Sequence, residues 1–209
     1  MFFYPVEPKT LQQLKKQSNP SMVPGQSEAV PWVLYDTATY ADNATTDLDF
    51  FNTARATRRA TNLPSPGQLP EPQFFEIFGW FLTPIIGASA TGWEDLSLLL
   101  MGNGAGTDAG PPTWSFSLAD KEYGPFPMFQ LQSLGGVGGF GLSLGDTTDG
   151  HLTVADSGRI GNGAWWDGAV TIPPQQNFRV TLRWDSAVDI SGDILLQVAA
   201  VGVLHRRIV

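Results

Sequence analysis

The residues that could do chemistry in this 209-residue chain are few and scattered. There are two histidines, His151 and His205, and His205 stands beside Arg206 and Arg207. A metal centre of the kind found in small β-barrel enzymes needs several convergent histidines with a carboxylate. Two histidines this far apart in sequence do not supply one. Cysteine is absent, which removes thiol nucleophiles, disulfides and zinc-thiolate sites. No G-x-S-x-G elbow presents a serine nucleophile. The acids around Asp146, Asp149 and Gly150 lack calcium-loop spacing. Carboxylate pairs for glycoside hydrolysis can be drawn at will from 20 acids, so none is singled out. A literal G-x-G-x-x-G runs from Gly136 to Gly141, but LSLGDTTDG follows it. A dinucleotide site needs that pattern to open a helix after a strand, so these glycines read as a turn or a close backbone approach. Asn43-Ala44-Thr45 has the form of a glycosylation acceptor, in a chain that begins without a secretion signal. Arg55, Arg58 and Arg59 would share a face if helical and could meet phosphate. In an acidic protein they read instead as a solvated loop or as partners of nearby acids. Trp165 and Trp166 are the best ligand hint, since indoles stack on sugars; as strand neighbours they point to opposite faces, so one of them belongs to a core. The expectation is therefore no catalytic, cofactor or metal residue.

The elements around these residues read as strands. In Phe178–Trp184 the residues Phe178, Val180, Leu182 and Trp184 alternate with Arg179, Thr181 and Arg183, a period of two that gives one apolar face. Ile194–Leu204 is apolar at nearly every position, which suits a strand covered on both sides. The polar link between them suggests an antiparallel pair, which needs a second sheet to be stable. Phe74–Ile86 (FFEIFGWFLTPII) is apolar on both faces and is expected to be a core strand. Val30–Tyr35 is a short apolar run broken by Pro31. Thr46–Phe51, Trp114–Leu118, Phe126–Leu134, His151–Val154 and Ala169–Ile172 complete the strand candidates. Trp93–Met101 reads as one short helix, with Leu96, Leu99 and Leu100 on a stripe. Leu63–Pro72 carries four prolines and reads as a rigid irregular crossing. About eight strands punctuated by 23 glycines and 16 prolines close most naturally as two packed sheets.

Residues 1–30 differ. They hold Pro5, Pro8, Pro20 and Pro24, and a possible short helix over Thr10–Gln17. Phe2, Phe3 and Tyr4, with Leu11 and Leu14, are apolar side chains that a solvated tail does not need. The expectation is an extended arm, residues 1–30, contacting another subunit, followed by one β-sandwich domain, residues 31–209. Only 15% of residues are charged, low for a solitary soluble protein, and 11% are aromatic. The net charge of −8 opposes direct nucleic-acid binding. No apolar run reaches the length of a membrane span. These features predict a soluble protein made in a cytoplasm.

The order of segments carries a resemblance. TTDLDFFN, then ATNLPSPGQLPEPQFFEIFGWFL, then SFSLADKEYGPFPMFQL with its glycine-rich run, then AVTIPPQQNFRVTLRW and the closing LLQVAAVGVLHRRIV span residues 45–209. The pattern resembles vertical jelly-roll coat proteins of tailless icosahedral phages that enclose an internal membrane. Better-known members of that family carry two jelly rolls per chain, and this chain has room for one. The resemblance implies a single eight-stranded jelly roll of two four-stranded antiparallel sheets. It implies a structural virion protein that self-assembles with copies of itself into an icosahedral capsid. It leaves room for a second coat protein and for proximity to the internal membrane, and implies no cofactor. The alternative is a carbohydrate- or receptor-binding β-sandwich module using Trp165 and Trp166.

Overall fold

The computed structural model describes residues 27–55, 57–85, 99, 112–131, 137–138, 156–157, 164–190 and 192–207. Ten strands lie in these residues: β1 (Ser27–Tyr40), β2 (Asp47–Phe50), β3 (Phe74–Ile85), β4 (Thr113–Leu118), β5 (Lys121–Pro127), β6 (Val137–Gly138), β7 (Asp156–Ser157), β8 (Ala164–Ile172), β9 (Phe178–Arg183) and β10 (Ile194–Arg207). Eight of them form two antiparallel sheets, ordered β1-β10-β3-β8 and β2-β9-β4-β5; β6 and β7 make a separate two-stranded ribbon. Among the eight, only β4 and β5 are joined as a hairpin within one sheet. Each of the other connections leads from one sheet to the other, and each sheet interleaves strands from both ends of the chain. That is the jelly-roll order, and the expected all-β class and two four-stranded sheets are present.

The alternation read in the sequence sets the faces. Phe178, Val180 and Leu182 of β9 are buried while Arg179 and Arg183 are exposed. The core between the sheets gathers Leu34, Phe50, Phe75, Trp80, Trp114, Phe116, Leu196 and Val198 with their neighbours. Trp80 packs tilted against Trp114 and Phe116, with centroids 6.3 and 5.0 Å away, a spacing at which ring quadrupoles attract.

Several expectations change. Phe178–Trp184 and Ile194–Leu204 are not a hairpin pair. β9 pairs with β2 and β4, and β10 pairs with β1 and β3, so the two lie in opposite sheets. The polar link between them is long enough to bridge the ~10 Å between packed sheets, and it does so. A clamp fixes that crossing. The Tyr40 hydroxyl accepts the Val188 N–H at 2.7 Å, and Asp42 Oδ1 accepts the Ile190 N–H at 2.9 Å. Trp184 packs edge-on against Tyr40 at 4.8 Å and donates its indole N–H to the Leu99 carbonyl. The strand expected over Phe126–Leu134 lies earlier, at Lys121–Pro127, and Met128–Gln130 is a 3-10 turn. β1 begins at Ser27, so residues 27–30 join the sheet instead of the arm. Of the expected helix Trp93–Met101 only Leu99 is described; it is helical and buried.

Replacing Tyr40 by phenylalanine leaves the Val188 N–H buried without its acceptor. The expected loss is about 1–3 kcal/mol, read by chemical denaturation. Burial pushes the Tyr40 hydroxyl above its ordinary value of 10.0. Below pH 10 its stabilising contribution is complete. As the pH rises past 10 the unfolded phenol ionises before the folded one, so the contribution is lost. Wild type should weaken in that range more steeply than Tyr40→Phe; parallel curves would contradict this assignment.

Candidate assembly surface

The two outer faces of the sandwich differ in kind. On the β2-β9-β4-β5 sheet the outward side chains of β2 and β9 form a charged and polar ladder. Arg183 Nε lies 2.7 Å from Asp47 Oδ1, Thr181 donates its hydroxyl to Asp49 Oδ1 at 2.6 Å, and Arg179 stands 4.0 Å from Asp49. The Arg183 guanidinium is held above its ordinary range, first by its hydrogen bond to Asp47. Such exposed pairs suit water and add little stability.

On the β1-β10-β3-β8 sheet the outward positions are mostly apolar. Leu196, Val198, Ala200 and Leu204 of β10 belong to the core, so Leu195, Gln197, Ala199, Val201, Val203 and His205 point away from it. On β3, Phe75, Ile77, Trp80 and Leu82 point inward, which leaves Phe74, Glu76 and Phe81 outward. Phe74, Phe81, Ala199, Val203 and His205 are nevertheless buried, while Val33 (37% accessible) and Leu195 (43%) are exposed. Trp32, one residue from Val33, is exposed as well at 39%. The His205 ring stacks on Phe74 at 4.1 Å, and its Nε2 lies 3.5 Å from Glu76 Oε2. An isolated two-layer sandwich shows polar outer faces on both sides. Here one outer face is charged and polar, while the other sets apolar side chains beside Thr37 and Gln197, which are hydrogen-bonded to each other.

Three of the four sheet edges are guarded. The free edge of β1 is closed by Asn62. Its side chain donates to the Val33 carbonyl at 2.6 Å and accepts the Tyr35 N–H at 3.0 Å, while Asp36 bridges to Thr61. Pro31 removes a further donor from β1, β2 has only four residues, and β5 carries Pro125 and Pro127. These features leave little free backbone for strand addition along those edges.

The residues singled out in the sequence fall as follows. Phe2, Phe3, Tyr4, Leu11 and Leu14 lie outside the described residues, as do His151, Asp146 and Asp149. Arg55 is not part of a helical basic stripe. It makes a two-pronged pair with the buried Asp36, 3.2 Å on each prong, while Arg58 and Arg59 are exposed on the adjoining loop. The cleft beside Arg55, lined by Phe51, Thr53, Thr61, Leu63 and Ser65, has a volume of about 60 Å³, far below that of a pocket for an organic ligand. Asn43 sits exposed in the turn after β1 with φ of 47°. Trp166 packs among Trp80, Trp114, Phe116, Tyr123 and Phe126, with centroids 5.7–6.2 Å away, and lies nearly parallel to Trp114. These contacts place the partly buried ring against the core. Trp166→Ala is expected to cost about 3 kcal/mol through the cavity it leaves, and to alter no binding on a glycan array. A variant that keeps its melting temperature but loses a glycan signal would restore the sugar-binding reading.

What the sequence missed here is Asp36, which reads as an ordinary polar strand residue yet is fully buried. The apolar outer face did leave a signal, in the missing alternation of Phe74–Ile86 and Ile194–Leu204. No family model, curated protein or solved structure matches this chain.

Proposed function

We propose that this chain is a structural subunit that assembles with copies of itself into a shell, the capsid of a tailless icosahedral phage. The carrying observation is the asymmetry of the sandwich. One outer face is a charged ladder, and the other is largely apolar, with Val33 and Leu195 exposed on it. Symmetric assemblies are built by repeating one such patch many times. The low charge content and the sequence resemblance to vertical jelly-roll coat proteins support the same reading. So does the blocking of three of the four sheet edges, which disfavours open-ended strand addition along them. A second coat protein and an underlying membrane are compatible partners within this proposal.

The test is the mass of the purified full-length protein by light scattering, together with electron microscopy. Large closed particles are expected. Val33→Glu and Leu195→Glu change exposed side chains, so each is expected to keep the wild-type melting temperature and to shift the population to small species. A wild-type chain that stays monomeric at high concentration, with both variants indistinguishable from it, would end this proposal.

A further inference from the structure

The loop after β2 carries a surplus of positive charge. From Phe50 to Pro70 there is no aspartate or glutamate, while Arg55, Arg58 and Arg59 fall close together in a chain whose net charge is −8. Arg55 and the buried Asp36 cancel each other. Arg58 and Arg59 are exposed, and among the described residues neither guanidinium pairs with an acid. Asp49, at the start of the loop, is already engaged by Thr181, Asn52 and Arg179. By contrast, the exposed Arg183 lies 2.7 Å from Asp47, and Arg206 is paired with Glu28. Two adjacent like charges left unpaired repel each other, so this loop gains from an anion beside it.

The same loop frames the small cleft of about 60 Å³ whose polar lining is Thr53, Arg55, Thr61 and Ser65. At about 15 Å³ for each water-sized occupant, it has room for roughly four, the number of oxygens on a phosphate group. Arg55 lines the cleft with donors to spare. Of the five N–H groups of a guanidinium, Nε serves Asp36 Oδ1, and the Nη2 pair serves Asp36 Oδ2 and the Asp49 carbonyl. The two on Nη1 are unclaimed among the described residues, and so is the Ser65 hydroxyl. The frame is held in place from β1. The Tyr35 hydroxyl donates to the Arg58 carbonyl at 2.6 Å, and Asn62 is bonded to Val33 and Tyr35. The N–H groups of Ala60 and Thr61 both close on the Thr57 carbonyl. A frame ordered before its ligand arrives loses little entropy on binding.

We infer that this loop binds a phosphate group, seated in the cleft against Arg55 Nη1 and the Ser65 hydroxyl. Arg58 and Arg59 supply the charge that Arg55, already paired, does not. Guanidinium forks match the oxygens of a phosphate, which is why arginine suits this task better than lysine. The cleft has no room for a sugar, a base or an acyl chain, so the remainder of a larger ligand stays outside it. The same chemistry has two sources, free inorganic phosphate and the headgroup phosphate of an anionic lipid. The net charge of −8 disfavours a long polyanion. The inference does not rest on the shell-forming reading.

The full-length protein is titrated with inorganic phosphate by calorimetry at fixed ionic strength. It is also floated with vesicles of phosphatidylcholine, with and without phosphatidylglycerol. The expected result is saturable binding of one phosphate per chain. Binding should be about tenfold weaker in the double variant Arg58→Gln with Arg59→Gln, and weaker again than wild type in Ser65→Val, which narrows the cleft. Lys121→Gln with Arg207→Gln removes the same charge from exposed sites elsewhere and is expected to bind as wild type does. All these side chains are exposed, so the melting temperatures should stay at the wild-type value. Flotation only with phosphatidylglycerol, lost in the Arg58 and Arg59 variant and competed by free phosphate, would make the lipid headgroup the source. Phosphate binding without flotation would make the free anion the source. Phosphate binding that does not saturate, an equal loss in the Lys121 and Arg207 variant, or a Ser65→Val protein that binds as wild type would each overturn the inference. Success or failure of shell formation changes none of these readings.

Discussion

Gly202→Ala is expected to be among the most damaging single substitutions in this chain, lowering stability by about 3–5 kcal/mol and the melting temperature by roughly 10 °C. The cause is a bulge. β10 pairs Val201 with Gly79 and Gly202 with Ile77, so β3 holds one extra residue, Phe78, at that point. The distortion brings the β3 backbone onto the space where residue 202 would carry a side chain. A Cβ there would lie 1.8 Å from the Glu76 carbonyl oxygen and 2.8 Å from the tip of the Phe75 ring. A phenyl ring can swing; a carbonyl within a paired strand cannot move by more than an ångström without breaking ladder bonds at about 1 kcal/mol each. Both strands are central in their sheet, so no free edge takes up the shift. Gly192→Ala is the control. Nothing lies within 4 Å of its Cβ position, and the change is expected to be neutral within about 0.5 kcal/mol. Thermal unfolding of the two variants side by side tests the argument. Equal melting temperatures would mean that the bulge relaxes freely.

That bulge was hidden in the sequence, and the reason is general for this chain. Period-two patterns report which face of a strand is buried, and they served well where one face is wet: Phe178–Arg183 turns its faces as its alternation implies. Runs without alternation reported burial on both sides, and β3 and β10 are indeed inner strands of their sheet. Periodicity says nothing of partners. The link from β9 to β10 could have been a hairpin turn. It crosses between sheets because Tyr40 and Asp42, nearly 150 residues earlier, hold Val188 and Ile190, with the Val188 contact spanning a separation of 148. β5 escaped notice at Lys121 and Glu122 because an edge strand with little burial on either face shows no apolar period. The candidate surface was legible to the extent that two strands lacked a polar side. Which of their residues stay exposed depends on neighbours that no local pattern encodes. The resemblance to shell-forming coat proteins and the asymmetry of the sandwich are independent lines of support for one proposal. One comes from segment order and the other from the side chains on opposite faces.

Asp36→Ala is expected to cost about 3 kcal/mol, more than its place in the sequence suggests. The carboxylate is fully buried, one residue from the point where β1 is bonded to Asn62. It accepts the Phe51 N–H at 2.6 Å, and Arg55 approaches both of its oxygens at 3.2 Å. Burying a carboxylate is tolerable only because a two-pronged guanidinium and a backbone donor replace its water. Removing it strands the Phe51 N–H in the core and leaves Arg55 half-turned toward solvent. The expected loss lies toward the lower end for a broken buried pair because the Arg55 side chain keeps 21% of its surface exposed and can recover some hydration. Arg55→Ala is expected to cost as much, since it leaves the charge of Asp36 buried with one backbone donor. The decisive measurement is the double variant. If the pair acts as a unit, Asp36→Ala with Arg55→Ala falls short of the sum of the singles by about 2 kcal/mol. Additive losses would show that each residue supports the loop separately, and that the 51–62 segment is held by Asn62 and Thr61 without an ionic latch.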